Sequence, residues 1–275
     1  MKPAAFTYMR PDNVDEALQI LAEYGSEARV LAGGQSLMAM LNLRLVEPGV
    51  LLDISRLPTL RHIRLDNGFI EVGAAVTQAE LLAWPDLERE APFIAQALPW
   101  VGHFQTRNRG TVCGSISHAD PSSELPLSLA LLQGEAVLRS SKGERRLAAR
   151  DYQTGMLQTA RREDELLVAV RFPVGLGRAG ASFQEVSRRH GDFAIVSAGV
   201  IRHAGRIRIG IGGVADRPSC IELDENVSAA NLTERIEQLA WELGGYDDIH
   251  ASARFRRDLV RRLAPKLVSE VLSCA

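Results

Sequence analysis

The chain has 275 residues, 46% of them hydrophobic and 24% charged, which is the balance of a globular protein rather than a disordered one. Its 32 Lys and Arg against 34 Asp and Glu give a net charge of -2, leaving no strongly basic face for nucleic acid. No apolar run approaches the ~20 residues of a membrane span, and the N-terminus lacks the apolar core of a secretory signal, so a cytoplasmic location is expected.

Asn13 followed by Glu16 resembles a capping box, and Val14, Ala17, Leu18, Leu21 and Ala22 then recur at helical spacing as far as Gly25. Residues 28–32 read as a short buried strand that stops at Gly33-Gly34. A helix over 36–44 and a strand over 50–54 follow, making a β–turn–α–β unit with a glycine pair at its first turn.

From about residue 60 the pattern is rich in strands. Runs 60–65 and 69–73 are joined by Asp66-Asn67-Gly68, whose Asn-Gly is a strong hairpin signal. Segments 77–82 and 91–101 read as helices, and 106–117 as irregular and glycine-bearing. Residues 135–139 and 144–147 form a second hairpin, and 165–172 a strand ended by Pro173. A glycine-rich joint spans 175–180. Beyond it, 183–187, 195–202 and 206–211 read as three strands of an antiparallel sheet, with helices at 232–243 and 251–272.

Cys113, Cys220 and Cys274 are dispersed, with no Cys-x-x-Cys pair or Cys/His cluster. That spacing argues against a disulfide framework, a structural zinc site or an iron–sulfur cluster held by this chain. Any redox chemistry must rest on an organic cofactor or a partner.

Two segments carry the chemistry. In Ala32-Gly-Gly-Gln-Ser-Leu37, glycines without Cβ atoms let a ligand approach, and the N–H groups of Gly34, Gln35 and Ser36 can bind a phosphate. A tight turn without a ligand explains the same glycines, and the spacing is that of neither a Rossmann fingerprint nor a P-loop. Residues 106–126 read as a long polar loop holding Thr111, Ser115, Ser117, Asp120, Ser122, Ser123 and Glu124. Loops of that length are functional or disordered, and Ile116, Ala119 and Leu125 speak against disorder.

Together, Ala32-Gly-Gly-Gln-Ser-Leu37, Arg107-Asn-Arg-Gly-Thr-Val-Cys-Gly-Ser115 and Ala119-Asp-Pro-Ser-Ser-Glu-Leu-Pro126 resemble the FAD-binding subunits of the molybdenum hydroxylases. That family includes the medium subunit of aerobic carbon monoxide dehydrogenase and the flavin domain of xanthine dehydrogenase. The likeness continues through Arg188-Arg-His-Gly-Asp-Phe-Ala-Ile-Val196, Gly210-Ile-Gly-Gly-Val214 and 248–257, so it covers nearly the whole chain.

The resemblance implies an α+β protein with the vanillyl-alcohol-oxidase-type (PCMH-type) FAD fold. Two α/β subdomains, 1–57 and 58–174, would enclose the cofactor, and 175–275 would form a C-terminal α/β domain with an antiparallel sheet and helices. By similarity, Ala32, Gly33, Gly34, Gln35, Ser36 and Leu37 cradle the FAD pyrophosphate. Thr111, Gly114 and Ser115 form the second contact, and Glu124 accepts from the ribityl hydroxyls, unless it is a solvated loop carboxylate, with Asp120 in a similar role. Leu167 packs near the cofactor, unless it is simply a strand core residue. Phe193 stands beside the isoalloxazine ring, unless it is an ordinary core phenylalanine. Arg188 and Arg189 face a partner or acceptor, or form a solvated loop, and His118 reads as structural.

The implied function is electron transfer. FAD here would receive electrons from iron–sulfur clusters on a small subunit, fed by a molybdopterin large subunit, and pass them to an external acceptor. No catalytic acid or base is expected on this chain, and no metal. The competing readings are a self-contained flavin oxidase or dehydrogenase of the same fold, and a flavin-less scaffold. One departure is Cys113, which replaces the first glycine of the usual pattern; cysteine tolerates φ > 0 poorly, which puts the local backbone in question.

Overall fold

A computed structural model describes residues 2–273, so Cys274 lies outside the described residues. The chain opens with β1 (Thr7–Met9), α1 (Val14–Tyr24), β2 (Ala28–Leu31), α2 (Leu37–Asn42) and β3 (Val50–Asp53). The strands form a parallel sheet in the order β1-β3-β2. Asn13 caps α1 by accepting the Glu16 N–H at 2.9 Å, while the Glu16 carboxylate takes the N–H of Asp12 rather than that of Asn13. The helix buries Val14, Ala17, Leu18 and Leu21, the face its spacing marks.

The second sheet is antiparallel. After a short turn of 3₁₀ helix at Pro58–Leu60 come β4 (Ile63–Asp66), β5 (Phe69–Gly73), α3 (Gln78–Leu82), α4 (Leu87–Glu90) and α5 (Pro92–Ala97). Asn67 and Gly68 both take positive φ, 47° and 80°, as the tight hairpin between β4 and β5 requires. The helix expected over 91–101 is divided into α5 and a 3₁₀ turn, Leu98–Trp100, around Pro99, which has no N–H to continue the ladder.

The segment expected to be irregular over 106–117 is mostly helical: α6 (Phe104–Arg107) and α7 (Val112–His118), followed by α8 (Glu124–Leu131). Thr111 caps α7 by accepting the Gly114 N–H at 3.0 Å, and Ala119 ends it at φ 53°. Short helices rich in Ser and Gly leave little apolar periodicity to read, and α8 is buried on nearly every side. The chain continues through β6 (Glu135–Ser140), β7 (Gly143–Ala148), α9 (Ala149–Tyr152), the small pair β8 (Gln153–Gly155) and β9 (Gln158–Thr159), and β10 (Leu166–Pro173). The large sheet has the order β4-β5-β10-β6-β7.

The last sheet has four strands rather than three: β11 (Ala181–Val186), β12 (Val196–His203), β13 (Arg206–Gly212) and β14 (Ser219–Asp224), in that order. β14 is a half-exposed edge strand, which explains its weak apolar signal. Helices α10 (Ala229–Glu242) and α11 (Ala253–Ser273) cover one face of this sheet and share a core with it through Val200, Ile209, Leu239, Val260 and Leu267. A larger core joins the first two sheets and reaches Phe183 and Ile201 of the third. The third sheet is therefore packed on both faces.

Candidate functional site

The two glycine-bearing segments meet. A Cβ built on Gly33 would stand 2.3 Å from the Arg109 carbonyl oxygen and 2.7 Å from Gly110 Cα, so only glycine allows this crossing. Gly34 takes φ +71°, which turns the chain from β2 towards α2. No acceptor among the described residues takes the N–H groups of Gly34, Gln35 or Ser36, and Gln35 Nε2 donates to the Gly33 carbonyl at 3.2 Å. Ser36 begins α2 without a side-chain cap, and Leu37 is its first, half-buried residue.

The opposing wall is built by backbone pairing. Thr77 and Thr111 form an isolated antiparallel bridge, with Gln78 N–H donating to Gly110 O at 2.8 Å and Val112 N–H to Val76 O at 3.1 Å. This brings Gly114 under the first segment, where its Cβ position lies 4.0 Å from Ala32 Cβ. Ser115, half-buried, is the next residue of α7. Arg107 holds the approach to this wall by donating to the carbonyls of Pro99, Val101 and Gly102 at 3.0–3.2 Å.

Between α7 and α8 the Asp120 carboxylate accepts the Ser122 N–H at 2.9 Å, and the Gly213 N–H donates to Pro121 O at 2.8 Å. Glu124 opens α8 and is 5% exposed, with no ion pair to a basic side chain within 4.0 Å among the described residues. Burial pushes its carboxyl up to about 7, Asp120 adding to the rise while its own N–H and Arg107 oppose it.

Cys113 sits inside α7 with a right-handed backbone, so its departure from glycine brings no strain. Its thiol is buried, donates to the Val72 carbonyl at 3.4 Å, and has its pKa pushed far up by desolvation. It packs as a small apolar residue.

The remaining expected residues lie outside the two glycine-bearing segments. Leu167 is buried in β10 opposite Leu138, at the edge of a bulge, inside the larger core. Phe193 is 60% exposed in the connection between β11 and β12, which excludes the reading of an ordinary core phenylalanine. Arg188 and Arg189 are exposed and share Asp192 at 3.8 and 3.3 Å. Next to them, Gly191 lies against the His103 ring, and the His103 and His190 rings are 5.8 Å apart.

Some residues of the site carried no sequence signal. Gln78 Oε1 is buried without a partner, 3.1 Å from the Cβ position of Gly110. Outside the cradle, Glu185 is a buried acid whose neighbours come from distant segments, which no local pattern announces.

This arrangement suits an anionic, hydroxyl-rich ligand: unpaired backbone donors at one wall, and a buried carboxyl at the end of the other. Residues 4–175 match the family model of the FAD binding domain in molybdopterin dehydrogenase, and 181–271 that of the CO dehydrogenase flavoprotein C-terminal domain. Subunit alpha of the 6-hydroxypseudooxynicotine dehydrogenase complex of Paenarthrobacter nicotinovorans is 34% identical over 284 residues, covering 99% of this chain and 96% of that one. Caffeine dehydrogenase subunit beta of Pseudomonas sp. (strain CBB1) is 38% identical over 224 residues, or 79% and 76% of the two chains. Carbon monoxide dehydrogenase from Hydrogenophaga pseudoflava matches the structure with TM-score 0.91 and 27% identity over 100% of both chains. The chain therefore belongs to the family of FAD-binding subunits of the molybdenum hydroxylases, and FAD is its cofactor.

Proposed function

We propose that the chain carries electrons within a larger cytoplasmic assembly. It takes them from iron–sulfur clusters on a small partner subunit, which a molybdopterin large subunit supplies, and hands them to an external acceptor. When bound, FAD would supply redox chemistry that takes electrons singly and can release them singly or in pairs; the chain's residues hold, orient and shield it.

In this reading the N–H groups of Gly34, Gln35 and Ser36 hold the pyrophosphate, with Ala32, Gly33 and Leu37 shaping the turn. Thr111, Gly114 and Ser115 line the facing wall. Glu124, helped by Asp120, accepts hydrogen bonds from ribityl hydroxyls, and Leu167 closes the apolar side. Phe193, free of the core at 60% exposure, covers the ring and controls access of the acceptor. The three main sheets support a division into two cofactor-enclosing subdomains, 1–57 and 58–174, and a C-terminal domain, 175–275.

The observation that carries the reading is the crossing of Gly33 over Arg109 and Gly110, because it places unpaired donors against a glycine-bearing wall. Purified chain is expected to be yellow with about one FAD, to hold no stoichiometric iron or molybdenum, and to hydroxylate nothing alone. Gly34→Asp places a carboxylate against the pyrophosphate and should release the flavin. With its partners, the flavin should bleach on addition of hydroxylase substrate. Flavin-free chain that refuses added FAD, or iron on the lone chain, overturns the reading.

A further inference from the structure

The four-stranded sheet carries a buried acid outside the cradle described above. Glu185 of β11 pairs with Ser197 of β12, and Ser197 with Gly212 of β13. Paired residues on neighbouring strands share a face, so these three make one row across the sheet. Gly212 shows which way the row points: a Cβ there would stand 2.5 Å from Ser197 Oγ and 3.1 Å from the Pro121 carbonyl oxygen. The row therefore lies beneath the turn that leads from Pro121 into Glu124.

Neighbouring side chains agree. Phe183, two residues before Glu185, packs edge-on against Phe93 of α5, with ring centroids 5.8 Å apart. Ser182 and Gln184 face the other way and bond Glu270 and Lys266 of α11. Glu185 thus points into the seam between the sheet and the cofactor-binding half.

Glu185 is 5% exposed, and neither of its carboxylate oxygens has a hydrogen-bond partner among the described residues. Ser197 Oγ also lacks one. A bare carboxylate is strongly disfavoured in such a place, whereas a neutral acid is tolerated. Burial, and after it the charge of Glu124, push the Glu185 carboxyl up to about 8. The other charged groups bearing on this pair are Asp120, before α8, and Arg107, of α6. From α5 and the turn after it the packed groups are Phe93 and Trp100, which carry no charge.

We propose that Glu185 is a positioning residue: it stays a neutral acid in the seam, which leaves Glu124 free to ionise and accept hydrogen bonds from FAD hydroxyls. The proposal rests on the reading of Glu124 as a cofactor contact. Above about pH 8 Glu185 loses its proton, two like charges share one buried seam, and FAD affinity falls.

The test is a titration of the full-length, flavin-stripped chain with FAD between pH 7.5 and 9, read by flavin fluorescence. Wild type is expected to bind about fivefold more weakly at pH 9 than at pH 8, because half of Glu185 is neutral at pH 8 and only about a tenth at pH 9. Glu185→Gln cannot ionise, and its affinity should stay flat over that range. Ser197→Ala alters the packing of the row without changing charge and should keep the wild-type fall. An equal alkaline fall in wild type and Glu185→Gln overturns the proposal. If Glu124→Gln binds FAD like wild type at every pH, the reading of Glu124 itself fails, and the proposal falls with it.

Discussion

Gly33 and Arg109 are the point where two distant segments of the chain lock together, with the Cβ position of the first 2.3 Å from the carbonyl oxygen of the second. The obstacle is backbone, so no rotamer change relieves it. Gly33→Ala must push the two walls apart, at a cost of about 1–3 kcal/mol for overpacking. Denaturant melts should show that loss, and the purified variant should carry substoichiometric FAD. Gly68→Ala, at φ +80° but facing open space, is the control: it should lose some stability and keep its flavin.

Cys113 is expected to be structural and the FAD noncovalent. Acid precipitation should leave the yellow colour in the supernatant. In a background where Cys220 and Cys274 are serine, a thiol reagent should leave Cys113 untouched until the chain unfolds, because the buried thiol yields little thiolate. Cys113→Ala should keep FAD at a cost of about 1 kcal/mol, the order expected for losing a small buried group. Flavin that pellets with wild type but not with Cys113→Ala would falsify the assignment.

Arg256 is buried in α11 and donates to the carbonyls of Ile195, Gly213 and Tyr246 and to the Asp248 carboxylate, at 2.6, 2.8, 3.2 and 2.7 Å. It ties Ile195, just before β12 and two residues after Phe193, to the turn whose next contact is Pro121. Arg256→Lys is expected to be nearly as damaging as Arg256→Met, since an ammonium cannot span the same fork of acceptors. Both should cost about 3–5 kcal/mol in equilibrium unfolding, the range for breaking a buried charge network. A lysine variant of wild-type stability would refute this.

Glu124 and Glu185 should also shape the pH dependence of stability. Their folded pKa values, about 7 and about 8, lie above the ordinary 4.5, so folding takes up protons between those limits. Stability of the flavin-free chain should then fall as pH rises through that window. Glu90 acts in the opposite sense: Arg89 first, and Arg178 after it, hold its carboxyl down, so its contribution is lost on acidification. Thermal midpoints between pH 5 and 8 should decline, and Glu185→Gln should flatten the decline. An equal slope in the variant would remove Glu185 from the account.

The opening β2–α2–β3 unit, both hairpins and the terminal helices were legible because their signals are local: caps, Asn-Gly, and apolar periods within one element. The family and its cofactor were legible through Ala32 to Leu37 and Arg107 to Ser115, whose residue types are constrained by close backbone approach. What stayed hidden depended on partners far along the chain. The helices α7 and α8 form where a polar stretch suggested a loop, because Thr111 supplies a cap and tertiary burial does the rest. Whether Phe193 stood in a core or at a surface could not be read from its own neighbours in sequence. Glu185 looked like an ordinary strand residue; only the register β11–β12–β13 and the turn at Pro121 bury it beneath the segment that leads into Glu124. Sequence specifies what each segment prefers to be, while the protonation and exposure of a side chain are set by the segments that tertiary packing brings against it.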